Sequence, residues 1–208
     1  MKRSALKFDL ARAWFALLLL LAMGCEPRVA LPPLPEDGVI LAFGDSLTAG
    51  VGAGAARGYP SALQALSGHR VVNAGVSGET TKGGLSRLPS VLREVSPDLM
   101  ILMEGGNDIL RSVNMQRTRD NLSAMIELAR AAGVAVVLIG VPDKMLFSDS
   151  AGFYEELAES RDLVFMDGEL AELLRESRYK SDPIHLNTEG YALLAQAIYE
   201  TLQEHGAL

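Results

Sequence analysis

The sequence is poor in the residues that cross-link chains or bind metals. Cysteine occurs once in 208 residues, as Cys25, so no disulfide can form within the chain. Histidine occurs three times, without the His-x-x-x-His or paired-cysteine spacing of common metal sites. We therefore expect neither a metal ion nor a cofactor.

Basic residues are also scarce. The chain has 19 Lys and Arg against 26 Asp and Glu, which gives a net charge of −7 and a pI near 5.0. A protein that binds nucleic acid needs a positive surface to meet the phosphates, so the composition argues against that partner. The length and the 49% hydrophobic content suit one globular domain.

The first 24 residues have the composition of a secretory signal. Four basic residues precede the apolar run AWFALLLLLAM (13–23), which is shorter than the roughly 20 residues of a membrane span. The segment LAMGC (21–25) resembles the lipobox of bacterial lipoproteins, although Ala22 stands where leucine is usual. The resemblance implies lipidation of Cys25 after cleavage. The alternative is an uncleaved signal anchor with an idle thiol.

This interpretation sets the expected domain limits and location. We expect a lipoprotein signal peptide at 1–24, a proline-rich tether at 25–37 and a folded domain at 38–208. The protein would lie in the cell envelope, held to a membrane by the lipid on Cys25. Glu26 follows the cysteine, which by resemblance to Gram-negative lipoproteins favours the outer membrane, facing the periplasm.

Five short apolar runs alternate with helical patterns through the rest of the chain. Runs without polar alternation suit strands buried on both faces of a parallel sheet, and this alternation predicts a three-layer α/β/α sandwich with five parallel strands. We expect a helix from Met115 to Ala132, and one kinked helix or two around Pro89. The expected strands are VILAF (39–43), RVVNA (70–74), DLMILM (98–103), VAVVLIG (134–140) and LVFMD (163–167).

Glycine and polar residues follow the predicted strands, where such sheets bind ligands. Ser46 follows the first strand and is either a nucleophile or a helix cap. Asp182 and His185 lie three residues apart near the last helix, so the carboxylate can reach the imidazole and leave its other nitrogen free as a base. The alternative is a surface aspartate beside a helix-capping histidine.

Four short motifs in order resemble the blocks of the SGNH/GDSL hydrolase superfamily. They are GDSL at 44–47, SGET at 77–80, GGND at 105–108 and DPIH at 182–185. Their order and spacing are most similar to the bacterial acyl-CoA thioesterase/lysophospholipase/arylesterase branch. The resemblance covers about 39–202 and implies a flavodoxin-like hydrolase fold.

The resemblance also implies a role for each matching residue. Ser46 would be the nucleophile, His185 the general base and then acid, and Asp182 the residue that orients His185. The backbone N–H groups of Ser46 and Gly78 and the side-chain amide of Asn107 would form an oxyanion hole. Glu104 and Asp108, which flank Asn107, are interpreted as structural.

The expected function is a serine esterase that acts on acyl or aryl esters, thioesters or lysophospholipids. The predicted acyl groove includes Val141, Met145, Leu146 and Phe147, which could equally pack in the core. The glycine-rich segment 52–58 is expected to form a lip beside Ser46. Two alternatives stay open: a carbohydrate O-deacetylase of the same superfamily and a non-catalytic envelope binding protein. A monomer is favoured, with a small-molecule or lipid ester as partner.

Overall fold

A computed structural model describes residues 29–143 and 150–208. Helices and strands alternate along these residues, as the sequence predicts. The strands are β1 (Val39–Gly44), β2 (Arg70–Gly75), β3 (Leu99–Met103), β4 (Ala135–Ile139) and β5 (Val164–Met166). The helices are α1 (Ser46–Ala49), α2 (Tyr59–Ser67), α3 (Thr81–Val95), α4 (Gly106–Leu110), α5 (Met115–Ala131), α6 (Phe153–Glu159), α7 (Glu169–Arg175) and α8 (Thr188–Glu204).

The five strands form one parallel sheet with the order β2-β1-β3-β4-β5. Its centre is the hydrophobic core, since every residue of β3 and nearly every residue of β1 is buried. The predicted α/β class and the five parallel strands are therefore confirmed. All five strands end at the same edge of the sheet, the carboxyl edge, and begin at the opposite, amino edge.

The prediction that all strands are buried on both faces is wrong for β2. This strand lies at the side of the sheet, and each of its residues is partly or fully exposed. Its residues Arg70 and Asn73 are polar, which suits a strand at the side of a sheet, whereas a fully apolar strand would expose hydrophobic side chains there. The mixed run RVVNA thus differs from the fully apolar run LMILM of β3.

Pro89 lies inside the single helix α3, so the segment around it forms one helix.

The helix ends follow local capping chemistry. Helix α5 ends at Ala131, one residue before the predicted limit, and Gly133 follows with a φ of 79°. Asn187 caps α8 by accepting a hydrogen bond from Gly190 N–H at 3.0 Å. That cap fixes the start of α8 at Thr188, three residues after His185.

The described part of the predicted tether packs against the domain. Leu31 is buried, and its N–H donates to the carbonyl of His205 at 2.8 Å. Leu34 N–H donates in the same way to Ala207 at 2.9 Å. His205 follows the end of α8, so this N-terminal segment (29–34) lies at the amino edge of the sheet.

Across the two described ranges, 29–143 and 150–208, the structure contains no helix long and apolar enough to cross a membrane. The predicted signal peptide and Cys25 lie outside these ranges.

Candidate active site

The turn after β1 presents Ser46 at the carboxyl edge of the sheet. Asp45, not Ser46, caps α1: its carboxylate accepts a hydrogen bond from Leu47 N–H at 3.0 Å. Gly44 leaves no room for a Cβ, which would collide with the Met103 carbonyl and Thr48 Oγ1. Since Asp45 takes the capping role, the half-buried hydroxyl of Ser46 is free for another partner.

That partner is His185. Its Nε2 lies 2.9 Å from Ser46 Oγ, and its Nδ1 lies 2.7 Å from an oxygen of Asp182. The three side chains predicted from distant parts of the sequence are therefore brought into one hydrogen-bonded chain. A histidine held in this way by a carboxylate presents an unprotonated Nε2 to the serine hydroxyl, which is the arrangement that activates a serine.

The loop from Asp182 to His185 orients the imidazole through its backbone. The other carboxylate oxygen of Asp182 accepts hydrogen bonds from the N–H groups of Ile184 and His185, both at 2.9 Å. Burial acts to raise the pKa of Asp182, but these two bonds and the contact with His185 outweigh it. The pKa of Asp182 therefore lies below its ordinary value, and the carboxylate stays charged beside the imidazole.

Two further predicted residues line the same cavity as Ser46 and His185. Gly78 has a φ of 78° in the turn after β2, a conformation that glycine adopts without strain. Asn107 lies in the first turn of α4, where its Nδ2 donates to an oxygen of Asp45 at 3.2 Å. That bond uses one amide hydrogen of Asn107 and leaves the second for a ligand.

Asp45 has a role that the sequence analysis did not assign. Its carboxylate is 3% exposed and joins the cap of α1 to the side chain of Asn107. Burial raises the pKa of Asp45 to about 6, against the opposing hydrogen bonds from Leu47 and Asn107. Only its position next to Ser46 hints at this function, because the partner is 62 residues away.

The cavity beside Ser46 has a volume of about 320 Å³ and a mainly apolar wall. Val141 lies in this wall, as predicted, whereas Met145, Leu146 and Phe147 lie outside the described residues. The segment 52–58 contributes no residue to this wall, so the lip predicted beside Ser46 stays a prediction; the segment contains a short 3₁₀ helix (Ala55–Arg57), and its Gly52 lies close to Leu186. The apolar side chains of the wall are Leu47, Ile109, Leu110, Val141, Pro142, Leu174, Pro183 and Ile184.

The two acidic residues that flank Asn107, Glu104 and Asp108, do not line the cavity beside Ser46. Asp108 accepts hydrogen bonds from the backbone N–H and the hydroxyl of Thr81, at 2.8 and 2.7 Å, and so ties α4 to the start of α3. Glu104 is fully buried, and its carboxyl oxygens have no hydrogen-bond partner among the described residues. Burial, with a smaller effect of the nearby acids, raises the pKa of Glu104 to about 10.

The comparisons with known proteins agree with this geometry. Residues 42–193 match the family model described as the GDSL-like Lipase/Acylhydrolase family. The arylesterase of Vibrio mimicus is 33% identical over 177 residues, which cover 80% of this chain and 88% of that protein.

A further relative and a solved structure point in the same direction. Esterase TesA of Pseudomonas aeruginosa is 40% identical over 127 residues, and the match spans 59% of this chain and 63% of that esterase. A crystal structure of TesA superposes with a TM-score of 0.72 at 29% identity, covering 80% of this chain and 99% of that one. The chain belongs to the GDSL-like lipase/acylhydrolase family of the SGNH hydrolase superfamily, close to its TesA and arylesterase members.

Proposed function

We propose that the protein hydrolyses carboxylic esters and thioesters through an acyl-enzyme formed on Ser46. The observation that carries the proposal is the 2.9 Å contact between Ser46 Oγ and His185 Nε2, with Asp182 on the other side of the imidazole. A serine hydroxyl attacks a carbonyl only when a base accepts its proton. In this chain the base, its orienting carboxylate and an apolar cavity meet at one point.

In the first half of the reaction, Ser46 Oγ attacks the acyl carbonyl while its proton moves to His185 Nε2. The charge that develops on the carbonyl oxygen needs nearby donors, each worth on the order of 10²–10³ in rate. We assign this role to the N–H groups of Ser46 and Gly78 and to the free amide hydrogen of Asn107. His185 then gives the proton to the leaving alcohol or thiol, and the bond to the leaving group breaks.

In the second half, water takes the place of the alcohol. His185 accepts a proton from the water as its oxygen attacks the acyl-Ser46 carbonyl, and then returns the proton to Ser46 Oγ as the carboxylic acid leaves. Asp182 stabilises the imidazolium that forms in both halves, since its carboxylate remains charged.

The shape and lining of the cavity favour an apolar acyl or aryl group. Its volume of about 320 Å³ lies at the lower end of the range for small-molecule sites. The names of the two relatives, an esterase and an arylesterase, fit such substrates. A medium-chain or aryl ester therefore suits the site better than a sugar acetate, whose polar body would face Leu110 and Ile184.

A chain-length series of nitrophenyl esters, from acetyl to hexadecanoyl, tests the proposal. We expect the highest kcat/KM at medium length and a loss of at least about 10³-fold in Ser46→Ala. Turnover of the acetyl ester alone would favour the O-deacetylase alternative. Equal background rates in the wild-type protein and Ser46→Ala would favour a binding protein.

We also propose that the chain is a lipoprotein anchored through Cys25. The support is the sequence LAMGC behind a basic and apolar leader. Three residues separate Cys25 from Val29, so the Cα atoms of these two residues lie at most about 14 Å apart. The N-terminal segment (29–34) lies at the amino edge, one length of α8, or about 26 Å, from His185. The carboxyl edge, which carries Ser46, would then face away from the anchoring bilayer, toward esters in solution.

Cell fractionation with Cys25→Ser tests the anchor. We expect the variant to leave the membrane fraction with ester hydrolysis unchanged, because the described segment nearest to Cys25 (29–34) packs at the amino edge, away from Ser46. Retention of the variant in membranes would contradict lipid anchoring at this residue.

A further inference from the structure

We propose that Glu79 and Arg87 are positioning residues that hold the oxyanion donors of Ser46 and Gly78 at a fixed separation. The proposal rests on the proposed ester hydrolysis. It starts from an ion pair that lies directly behind the site: Arg87 Nη2 is 2.6 Å from Glu79 Oε2, and Arg87 Nε lies within 2.9 Å of both carboxylate oxygens.

Glu79 ends the turn that carries Gly78. The N–H of Glu79 donates to the carbonyl of Val76 at 3.1 Å, which closes a four-residue turn with Gly78 at its third position. The conformation of the turn decides where Gly78 N–H points. A side chain fixed at the last residue of the turn therefore restrains this donor.

Arg87 reaches from α3 to the ends of two strands. Its Nη2 donates to the carbonyl of Ala74 at 2.7 Å, near the end of β2, and to the carbonyl of Gly44 at 3.3 Å, at the end of β1. Gly44 lies two residues before Ser46, and its carbonyl also accepts from Val76 N–H at 3.0 Å. One guanidinium thus contacts the strand that leads to the nucleophile, the strand that leads to the oxyanion turn, and the turn itself through Glu79.

The surroundings of the pair hold it rigidly. The side chains of Arg87 and Glu79 are 22% and 8% exposed, so water screens the pair little. The guanidinium also lies 4.0 Å from the ring centre of Phe43. A Cβ on Gly83 would come within 3.2 Å of Glu79 Cγ, which shows how closely α3 packs on this carboxylate.

Catalysis depends on this placement because donors must lie within about 2.7–3.1 Å of the developing oxyanion. A displacement of about 1 Å costs on the order of 10²-fold in rate. Neither Glu79 nor Arg87 lines the cavity beside Ser46. The pair can therefore affect the reaction through the two backbone donors without touching the substrate.

The test compares Glu79→Gln with Glu127→Gln in the purified protein. Glu127 forms a similar pair with Arg161, at 2.6 Å, but on the surface toward the amino edge. For each protein, kcat and KM are measured with one medium-chain nitrophenyl ester. The inhibition constant of an alkyl boronic acid, which forms a tetrahedral adduct with a catalytic serine, is measured alongside, and all rates refer to folded protein recovered by gel filtration.

We expect Glu79→Gln to lower kcat by about 10–100-fold and to weaken boronate binding by a similar factor, with KM within about threefold of the wild-type value. Glu127→Gln should leave all three constants unchanged. If Glu79→Gln does not fold, Arg87→Lys serves as the second variant, because it keeps the charge but cannot contact Glu79, Ala74 and Gly44 together.

The inference would be overturned by a folded Glu79→Gln or Arg87→Lys with wild-type kcat. A lower kcat with unchanged boronate binding would overturn it equally, because the loss would then not involve the oxyanion donors. These results differ from a failure of the proposed function, in which the wild-type protein and Glu127→Gln would themselves not hydrolyse the ester.

Discussion

The two edges of the sheet are built from the same five strands but in opposite ways. At the carboxyl edge, side chains make the key contacts, as in the chain from Ser46 through His185 to Asp182. At the amino edge, the backbone and apolar side chains do so: Leu31 is buried there, and its N–H bonds to the carbonyl of His205. The difference indicates that chemistry is concentrated at one edge and chain packing at the other.

The two edges should respond differently to substitutions. Changes at the carboxyl edge should lower activity more than stability, because half-exposed polar groups contribute little net free energy to folding. Changes at the amino edge should do the reverse. Glu104 should break the pattern, since it is a carboxyl-edge residue that is fully buried.

The largest effect is expected for His185→Ala. Without the imidazole, Ser46 has no base, so kcat/KM for a nitrophenyl ester should fall by at least about 10³-fold. The urea midpoint of unfolding should change little, because the ring makes its hydrogen bonds at the surface of the cavity. If activity fell only in proportion to the amount of folded protein, the predicted difference between the two edges would be wrong.

A smaller loss, about 10-fold or more in kcat, is expected for Asp45→Asn. The new side-chain oxygen can still cap Leu47 N–H, but the amide group cannot accept the hydrogen bond from Asn107 Nδ2. Asn107 would then be less well oriented toward the oxyanion. Steady-state kinetics at pH 8 measure this, and Glu127→Gln provides the control. A wild-type kcat would show that Asn107 does not need Asp45.

Glu104→Gln should change stability and its dependence on pH. Burial raises the pKa of Glu104 from 4.5 to about 10, so the folded protein keeps a proton that the unfolded chain releases. The contribution of Glu104 to stability is therefore largest below pH 4.5 and falls as the pH rises toward 10, by on the order of 1 kcal/mol per pH unit. A glutamine side chain does not ionise, so Glu104→Gln does not lose stability in this way. The free energy of unfolding of the variant should exceed that of the wild-type protein by an amount that grows from pH 6 to 9.

Urea unfolding at pH 6, 7.5 and 9 measures the trend. Parallel pH profiles for the wild-type protein and Glu104→Gln would contradict the assignment of a neutral, buried Glu104.

At the amino edge, Leu31→Ala should lower stability by about 2 kcal/mol, the lower end of the range for buried leucines. Leu31 is 8% exposed and lies far from Ser46, so kcat/KM at 25 °C should stay within twofold of the wild-type value. A drop in activity without a drop in the urea midpoint would show that the two edges are coupled.

Much of this division could be predicted from the sequence. The fully apolar run of β3 and the glycines and polar residues after the first, second, third and fifth strands led to the sheet and to its carboxyl edge. Ser46, Asp182 and His185 followed from their residue types and from resemblance to a family. These signals are local, in that each motif is short and lies directly after an element.

The features that escaped prediction depend on contacts between distant segments. The bond between Asp45 and Asn107, and the reach of Arg87 to Gly44 across 43 residues, have no local pattern. The exposure of β2 depends on which strand lies at the side of the sheet, which the run RVVNA alone does not specify. The packing of Leu31 on the end of α8 was not predicted, because a proline-rich composition is typical of linkers that do not pack on a domain.

The most direct test of the central claim is peptide mass spectrometry after reaction with an alkyl nitrophenyl phosphonate. We expect a single phosphonyl adduct on Ser46, formed rapidly in the wild-type protein and at least about 10³-fold more slowly in His185→Ala. An adduct on another residue, or ester hydrolysis by a protein in which Ser46 stays unmodified, would contradict the account.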